Sequence, residues 1–254
     1  MNGITYEQPL NERIRTFLRL EFLFKQTNHT LYGVSPWDTR ASIASLIDIL
    51  NIFSRVDLKS EVMMELERIS ANLSRLEKKP GVDGSKLGQI LDEMDVLIDR
   101  LHSSHGQVAQ KVRENEFING IRQRATVPGG TCDFDLPAYH HWLQQEPARR
   151  AHDLERWTAA FNDLQSAISL ILRLVRDSAV WSSVTAVGGF YQQPLDTNTP
   201  FQLIRATLPP GSPCYAEISG GRHRFTIRLM EMSTDVRPTQ TGKDVEFLLA
   251  CCPL

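Results

Sequence analysis

LERWTAAFNDLQSAISLILRLVRDSAVW (residues 154–181) holds the point at which this chain changes character. Leu154, Trp157, Phe161, Leu164, Ile168, Ile171 and Val175 recur every three or four residues, the spacing that lines one face of an α-helix. The second half is apolar on most sides, so the segment reads as a central helix against which others pack. After Trp181 the pattern shortens to alternating runs separated by Gly, Pro, Asn and Asp. Helices first and strands afterwards predict an α+β fold, an N-terminal helical domain followed by a C-terminal antiparallel β domain.

Upstream, Asn11 is placed to cap a helix carrying Ile14, Phe17, Leu18 and Leu20 to Phe24. A second helix carries Ile43, Leu46, Ile47, Leu50 and Phe53. Asp57 caps a third with Leu58, Val62, Leu66, Ile69, Leu73 and Leu76, stopped by Pro80-Gly81. A fourth carries Leu87, Ile90, Leu91, Met94, Leu97, Ile98 and Leu101, and the short joint makes the third and fourth an αα-hairpin. A fifth covers Val108 to Arg124, and a short one runs from Pro137 to Gln145.

Downstream, Gln202 to Leu208, Arg222 to Met230 and Asp244 to Cys251 read as strands, with turns at Pro209-Pro210-Gly211 and Ser219-Gly220-Gly221. Three strands make a weak sheet, so Ile4 to Glu7 and Ala125 to Val127 are expected to join it. The expected division is a mainly helical domain over 10–183, with a strand near 125–127, and a β domain over 184–254 completed by strand 4–7.

At about 150 residues per domain, 254 residues make between one and two domains. Hydrophobic residues are 41% and charged residues 23%, an ordinary globular composition. With 28 Lys plus Arg against 30 Asp plus Glu the net charge is −2, which argues against a bulk-cationic nucleic-acid binder. Cys132, Cys214, Cys251 and Cys252 form no CxxC pair. MNGITYEQPL has no basic or apolar leader region, and Arg173 interrupts the most apolar run, so the reading is a cytoplasmic protein without membrane insertion.

Chemistry-bearing patterns are few. Pro128-Gly129-Gly130 is followed by Thr131-Cys132 and Gly242-Lys243 by Asp244, so neither is a phosphate loop. His140-His141 and the His102/His105 pair lack thiolates or carboxylates at ligand spacing, and no metal or cofactor is expected. Cys132 with His140 can be drawn as nucleophile and base, but a lone Cys in apolar surroundings reads better as a small buried hydrophobe. The expectation is a protein that is not an enzyme.

One run stands out. Along Gly221 to Met230, Arg222, Arg224, Thr226 and Arg228 fall on one face of a strand and His223, Phe225, Ile227 and Leu229 on the other. No acid lies between Ile218 and Met230. Arg205 shares an equivalent face with Leu203 and Thr207. A solvated outer sheet face accounts for part of this pattern. An Arg row without interleaved acids points further, to an acidic peptide, an RNA or a phosphate-bearing ligand.

The stretches EQPLNERIRTFLRLEFL (7–23), IRQRATVPGGTCDFDLPAYHHWL (121–143), GFYQQ (189–193) and ISGGRHRFTIRLM (218–230) resemble the ZapD family of bacterial Z-ring-associated division proteins. The resemblance implies a helical and a β domain, a homodimer and no enzymatic activity. It also implies binding to the C-terminal tail of the tubulin-like protein FtsZ, cross-linking of FtsZ filaments into bundles, and recruitment to the mid-cell division site. Carried over by motif, the tail-binding positions fall on Arg224 and Arg228 in HRFTIR and on Arg55 in IFSR, to which the alternation adds Arg222 and Arg205. Arg19 in FLRLEFL and His140 in LPAYHH match further positions. At Glu116 the chain carries an acid where related sequences can carry a base. The alternative reading is an RNA- or phospholigand-binding protein using the same Arg row.

Overall fold

Caps and side-chain periodicity set the element boundaries in the computed structural model, which describes residues 3–54, 57–76, 81–103, 110–221 and 223–254. Arg55, Pro80, His105, Val108 and Arg222 lie outside the described residues. Strand β1 (Ile4–Pro9) leads into α1 (Glu12–Thr30). There Asn11 Oδ1 accepts the Ile14 amide at 2.9 Å, satisfying one of the donors a helix start leaves open. Helix α2 (Pro36–Phe53) opens on a capping box, with Ser35 Oγ accepting from the Trp37 amide and Asp38 accepting from the Ser35 amide. It therefore starts well before the apolar run at Ile43. Asp57 caps α3 (Leu58–Ser74) and Asp83 caps α4 (Gly84–Ser103), and the two helices pack on one another.

Two expected helices are each broken by a polar side chain. The fifth divides into α5 (Gln110–Arg113) and α6 (Glu116–Ala125), because Asn115 Oδ1 takes the Ile118 amide at 3.0 Å and starts a new helix. Helix α7 (Pro137–Leu143) follows. The long central helix is α8 (Pro147–Thr158), a 3-10 turn at Ala159–Phe161, and α9 (Asn162–Asp177). At the break the Thr158 hydroxyl donates to the carbonyls of Leu154 (2.9 Å) and Glu155 (3.2 Å), the local bonding that bends helices. The expected strand at Ala125 to Val127 is absent. Ala125 ends α6, Thr126 is its C-cap, and the Val127 amide bonds back to the Arg124 carbonyl, so the backbone here is helix end and turn.

The chain forms two compact units, one of residues 16–171 and one of residues 1–15 and 172–254. In the helical unit, Phe161 is buried with its ring edge-on to Phe53 at 5.1 Å and 6.4 Å from Phe24. A second aromatic group joins Phe117, Tyr139, Trp142 and Trp157. Arg40 lies over the Tyr139 ring and donates to the Thr131 carbonyl at 3.0 Å, fixing the Gly-rich turn below α7. Buried Arg150 donates to the carbonyls of Leu143 and Val34.

The other unit holds β2 (Ser182–Ala186), β3 (Phe190–Pro194), β4 (Leu203–Leu208), β5 (Cys214–Gly220), β6 (Arg224–Glu231) and β7 (Val245–Cys252), together with β1. They form two antiparallel sheets, β1-β4-β7-β2 and β3-β6-β5. One sheet contributes Ile204, Ala206, Leu208, Phe247 and Leu249 to a shared core, and the other Cys214, Ala216, Phe225, Ile227 and Leu229. The chain passes from the first sheet to the second through Gly188 and Gly189, both left-handed (φ 54° and 73°). A Cβ at Gly189 would come within 2.5 Å of the Thr241 carbonyl oxygen, so only glycine fits that corner.

Replacing Phe161 by Ala is expected to cost roughly 3–5 kcal/mol, because the ring fills the junction of α1, α2 and the 3-10 turn. Chemical denaturation of the variant measures this. A midpoint equal to wild type would mean that the ring does not anchor the helical core.

Candidate functional site

Strand β6 lies between β3 and β5, and its burial alternates residue by residue. Phe225, Ile227 and Leu229 are buried, while Arg224 and Arg228 are exposed and Thr226 between them is half-buried. At roughly 3.3 Å per residue the two Arg positions are about 13 Å apart along one face. His223, expected on the apolar face, is exposed, because β6 begins only at Arg224.

The register supplies their neighbours. Thr226 stands between Gln192 and Ser219, and Arg228 between Phe190 and Glu217. Phe190 is 38% exposed, so Arg228 adjoins an accessible aromatic ring. Met230 is opposite Tyr215, whose hydroxyl donates to Glu217 Oε1 at 3.4 Å. Burial, then the charge and hydrogen bond of Glu217, raises the Tyr215 hydroxyl above its ordinary pKa. Arg224 has Pro194 as its register partner on β3, and β5 ends at Gly220, opposite Phe225. The sequence run is free of acids, but the folded face is not: Glu217, one residue before that run, is brought directly opposite Arg228. Among the described residues neither Arg224 nor Arg228 forms an ion pair.

The remaining candidates are placed elsewhere. Arg205 is on β4, in the other sheet, with its Nε 3.0 Å from Glu7 Oε1 and its guanidinium 4.9 Å from the Trp181 ring centroid. Glu7 also receives a two-point contact from Arg176 at 2.9 and 2.8 Å. Arg205 thus clasps β1, β4 and the end of α9, apart from the Arg224–Arg228 face. Arg19 is exposed on α1 and His140 exposed on α7, both within the helical unit. Arg222 and Arg55 lie outside the described residues. The residues that sequence reading missed are Phe190, Glu217 and Tyr215. The alternation in Cys214-Tyr215-Ala216-Glu217-Ile218 was the available signal.

Cys132 is half-buried, not fully buried as expected, and its thiol donates to Asp135 Oδ2 at 3.4 Å, so its polar partner is a carboxylate and not His140. Burial pushes the Cys251 thiol up to about 11 and the Cys252 thiol up to about 12, which keeps both protonated at neutral pH. Among the described residues no three His, Cys, Asp or Glu side chains gather as metal ligands, and no helix is long and apolar enough to cross a membrane. The Arg224–Arg228 face can do one thing well. It can present guanidinium forks to carboxylates beside an aromatic surface.

Two measurements separate the Glu7 clasp from the exposed Arg224–Arg228 face and probe the thiols of Cys251 and Cys252. Arg205→Ala should lose about 1–3 kcal/mol, the worth of a charged hydrogen bond in a partly buried setting, whereas Arg224→Ala should stay within about 0.5 kcal/mol of wild type. Equal melting of the two variants would contradict this division. Cys251, Cys252 and Tyr139 (pushed up to about 12, chiefly by burial) are all favoured in their neutral forms by the fold. Their contribution is complete below about pH 9 and is lost as pH rises toward 12, since the unfolded chain then binds fewer protons. Melting temperature should therefore decline above about pH 9, and less steeply in a Cys251→Ser, Cys252→Ser variant.

Residues 18–228 match the family model ZapD, described as a cell division protein. The chain is 42% identical over 253 residues to "Cell division protein ZapD" of Methylococcus capsulatus, covering 100% of this chain and 99% of that one. It is 37% identical over 251 residues to the protein of the same name from Aromatoleum aromaticum (99% and 98% covered), and 36% over 251 residues to that of Coxiella burnetii (98% and 97%). These relatives are named as cell division proteins and not as enzymes.

Proposed function

This chain belongs to the ZapD family of cell division proteins, and we propose that it acts in division by binding the C-terminal tail of FtsZ on the Arg224–Arg228 face. The observation that carries this reading is a pair of exposed guanidinium groups on one strand, neither in an ion pair among the described residues, beside the accessible Phe190 ring. A tail with acidic and apolar side chains matches both parts. The planar fork of Arg engages carboxylates at two points, which a Lys ammonium does not. By sequence, Arg222 and Arg55, both outside the described residues, are further tail-binding candidates, while Arg19 and His140 on the helical unit are functional positions of their own. The action is adaptor-like and non-enzymatic.

One such face holds one tail weakly. In a homodimer two faces act together, and the second contact gains from the effective concentration set by the first. With the two tails on different filaments, the dimer cross-links FtsZ into bundles and stabilises the Z-ring, and recruitment to mid-cell follows from the same contact. The electrostatic part of the affinity falls with salt, as the Debye length drops below about 8 Å above physiological strength.

Charge reversal at both positions, Arg224→Glu with Arg228→Glu, tests the reading. The expected result is loss of tail-peptide binding in titration and loss of bundles in electron micrographs, with melting unchanged because both side chains face solvent. Wild-type protein should likewise leave filaments of tail-less FtsZ unbundled. Tail binding that survives the double reversal overturns the assignment of this face.

A further inference from the structure

The two arginines of this face are not equivalent. Glu217 is the register partner of Arg228 in the antiparallel β5–β6 pair, so the two side chains rise from the same face. Directly opposed residues have Cβ atoms about 4.5–5.5 Å apart, within reach of a charge pair. Among the described residues Arg228 is not closed into a salt bridge with Glu217, whose carboxylate instead accepts from the Tyr215 hydroxyl. At the other end of the row Arg224 has Pro194 opposite it and no carboxylate in register. On the far side of Arg228 stands Phe190, and Met230, two residues on, pairs with Tyr215. The face is therefore graded, cationic at Arg224, and aromatic and partly self-neutralised around Arg228.

We propose that Glu217 is a specificity-determining residue of this face, a built-in carboxylate that competes with an acidic ligand for Arg228. It acts through Arg228 and does not contact the ligand favourably itself. The result is direction: carboxylates of a bound peptide are steered to Arg224, and an apolar side chain is steered to the Phe190 and Met230 end. The inference rests on the tail-binding reading, but it adds that the two ends of the site select opposite chemistries.

The experiment is a titration of the FtsZ tail peptide, at low and at high salt, against wild type, Glu217→Gln, Glu217→Asp, Arg228→Gln, the Glu217→Gln, Arg228→Gln double variant, and Arg224→Glu. Removing the competing charge in Glu217→Gln is expected to tighten binding about two- to fivefold at low salt, the worth of one opposed charge pair. The gain should vanish in the Arg228→Gln background and shrink at high salt, and Glu217→Asp, which keeps the charge, should show none of it. A merely structural Glu217 would give no such dependence on Arg228. If wild type binds no tail, the tail reading falls and this inference with it. If Arg224→Glu abolishes binding while Glu217→Gln gives no gain, or a gain that persists without Arg228, the tail reading stands and the role of Glu217 is refuted.

Discussion

Burying Phe225, Ile227 and Leu229 in the sandwich core leaves the side chains between them only one direction to take. Strand geometry alternates strictly, so Arg224, Thr226 and Arg228 must face outward once the apolar set faces in. A slip of one residue would place two guanidinium groups in an apolar core, at a cost no contact there could offset. The same packing that holds the two sheets together thus presents the cationic face on a stiff support. It also fixes which residues flank it, because Phe190 and Glu217 are brought to Arg228 by register alone.

Arginine serves two distinct physical roles in this unit, and environment decides which. Arg205 and Arg176 surround Glu7, with short contacts and side chains about one-fifth exposed. Partial burial strengthens each attraction, and the three groups satisfy one another, as charges withdrawn from water require. Arg224 and Arg228 are exposed, where an ion pair contributes little to stability. Their guanidinium groups are consequently left available to carboxylates from outside the chain.

The fold class and most helices were legible because large apolar residues mark a period of 3.6 or 2 over long runs. What escaped notice was set by polar atoms or by distant partners. Asn115 and Thr158 break helices through single hydrogen bonds that leave the apolar spacing undisturbed. Ala125-Thr126-Val127 looks strand-like in composition but is claimed by the C-terminus of α6. Strands β2 and β3 are only five residues long and each is held by a partner far along the chain, whereas β5 alternates polar and apolar residues and pairs with the next strand, β6. The exposed row on β6 could be read from alternation alone. Alternation puts Glu217 on the same outer face, but its place opposite Arg228 needs the β5–β6 register as well, since opposition is a property of pairing and not of one segment.

The strand order β1-β4-β7-β2 has a bearing on how the protein emerges from the ribosome. The helical unit is continuous in the chain and can pack as it is made. The first strand cannot: β4, its partner, is synthesised almost two hundred residues later, an interval on the order of ten to forty seconds at cellular rates of elongation. The four-stranded sheet then waits again for β7, which supplies the remaining two ladders, to β4 and to β2. During that delay β1 is an orphan edge. Its sequence, ITYEQP, suits the wait, with a charge, three further hydrogen-bonding side chains and a terminal proline to discourage pairing with strangers.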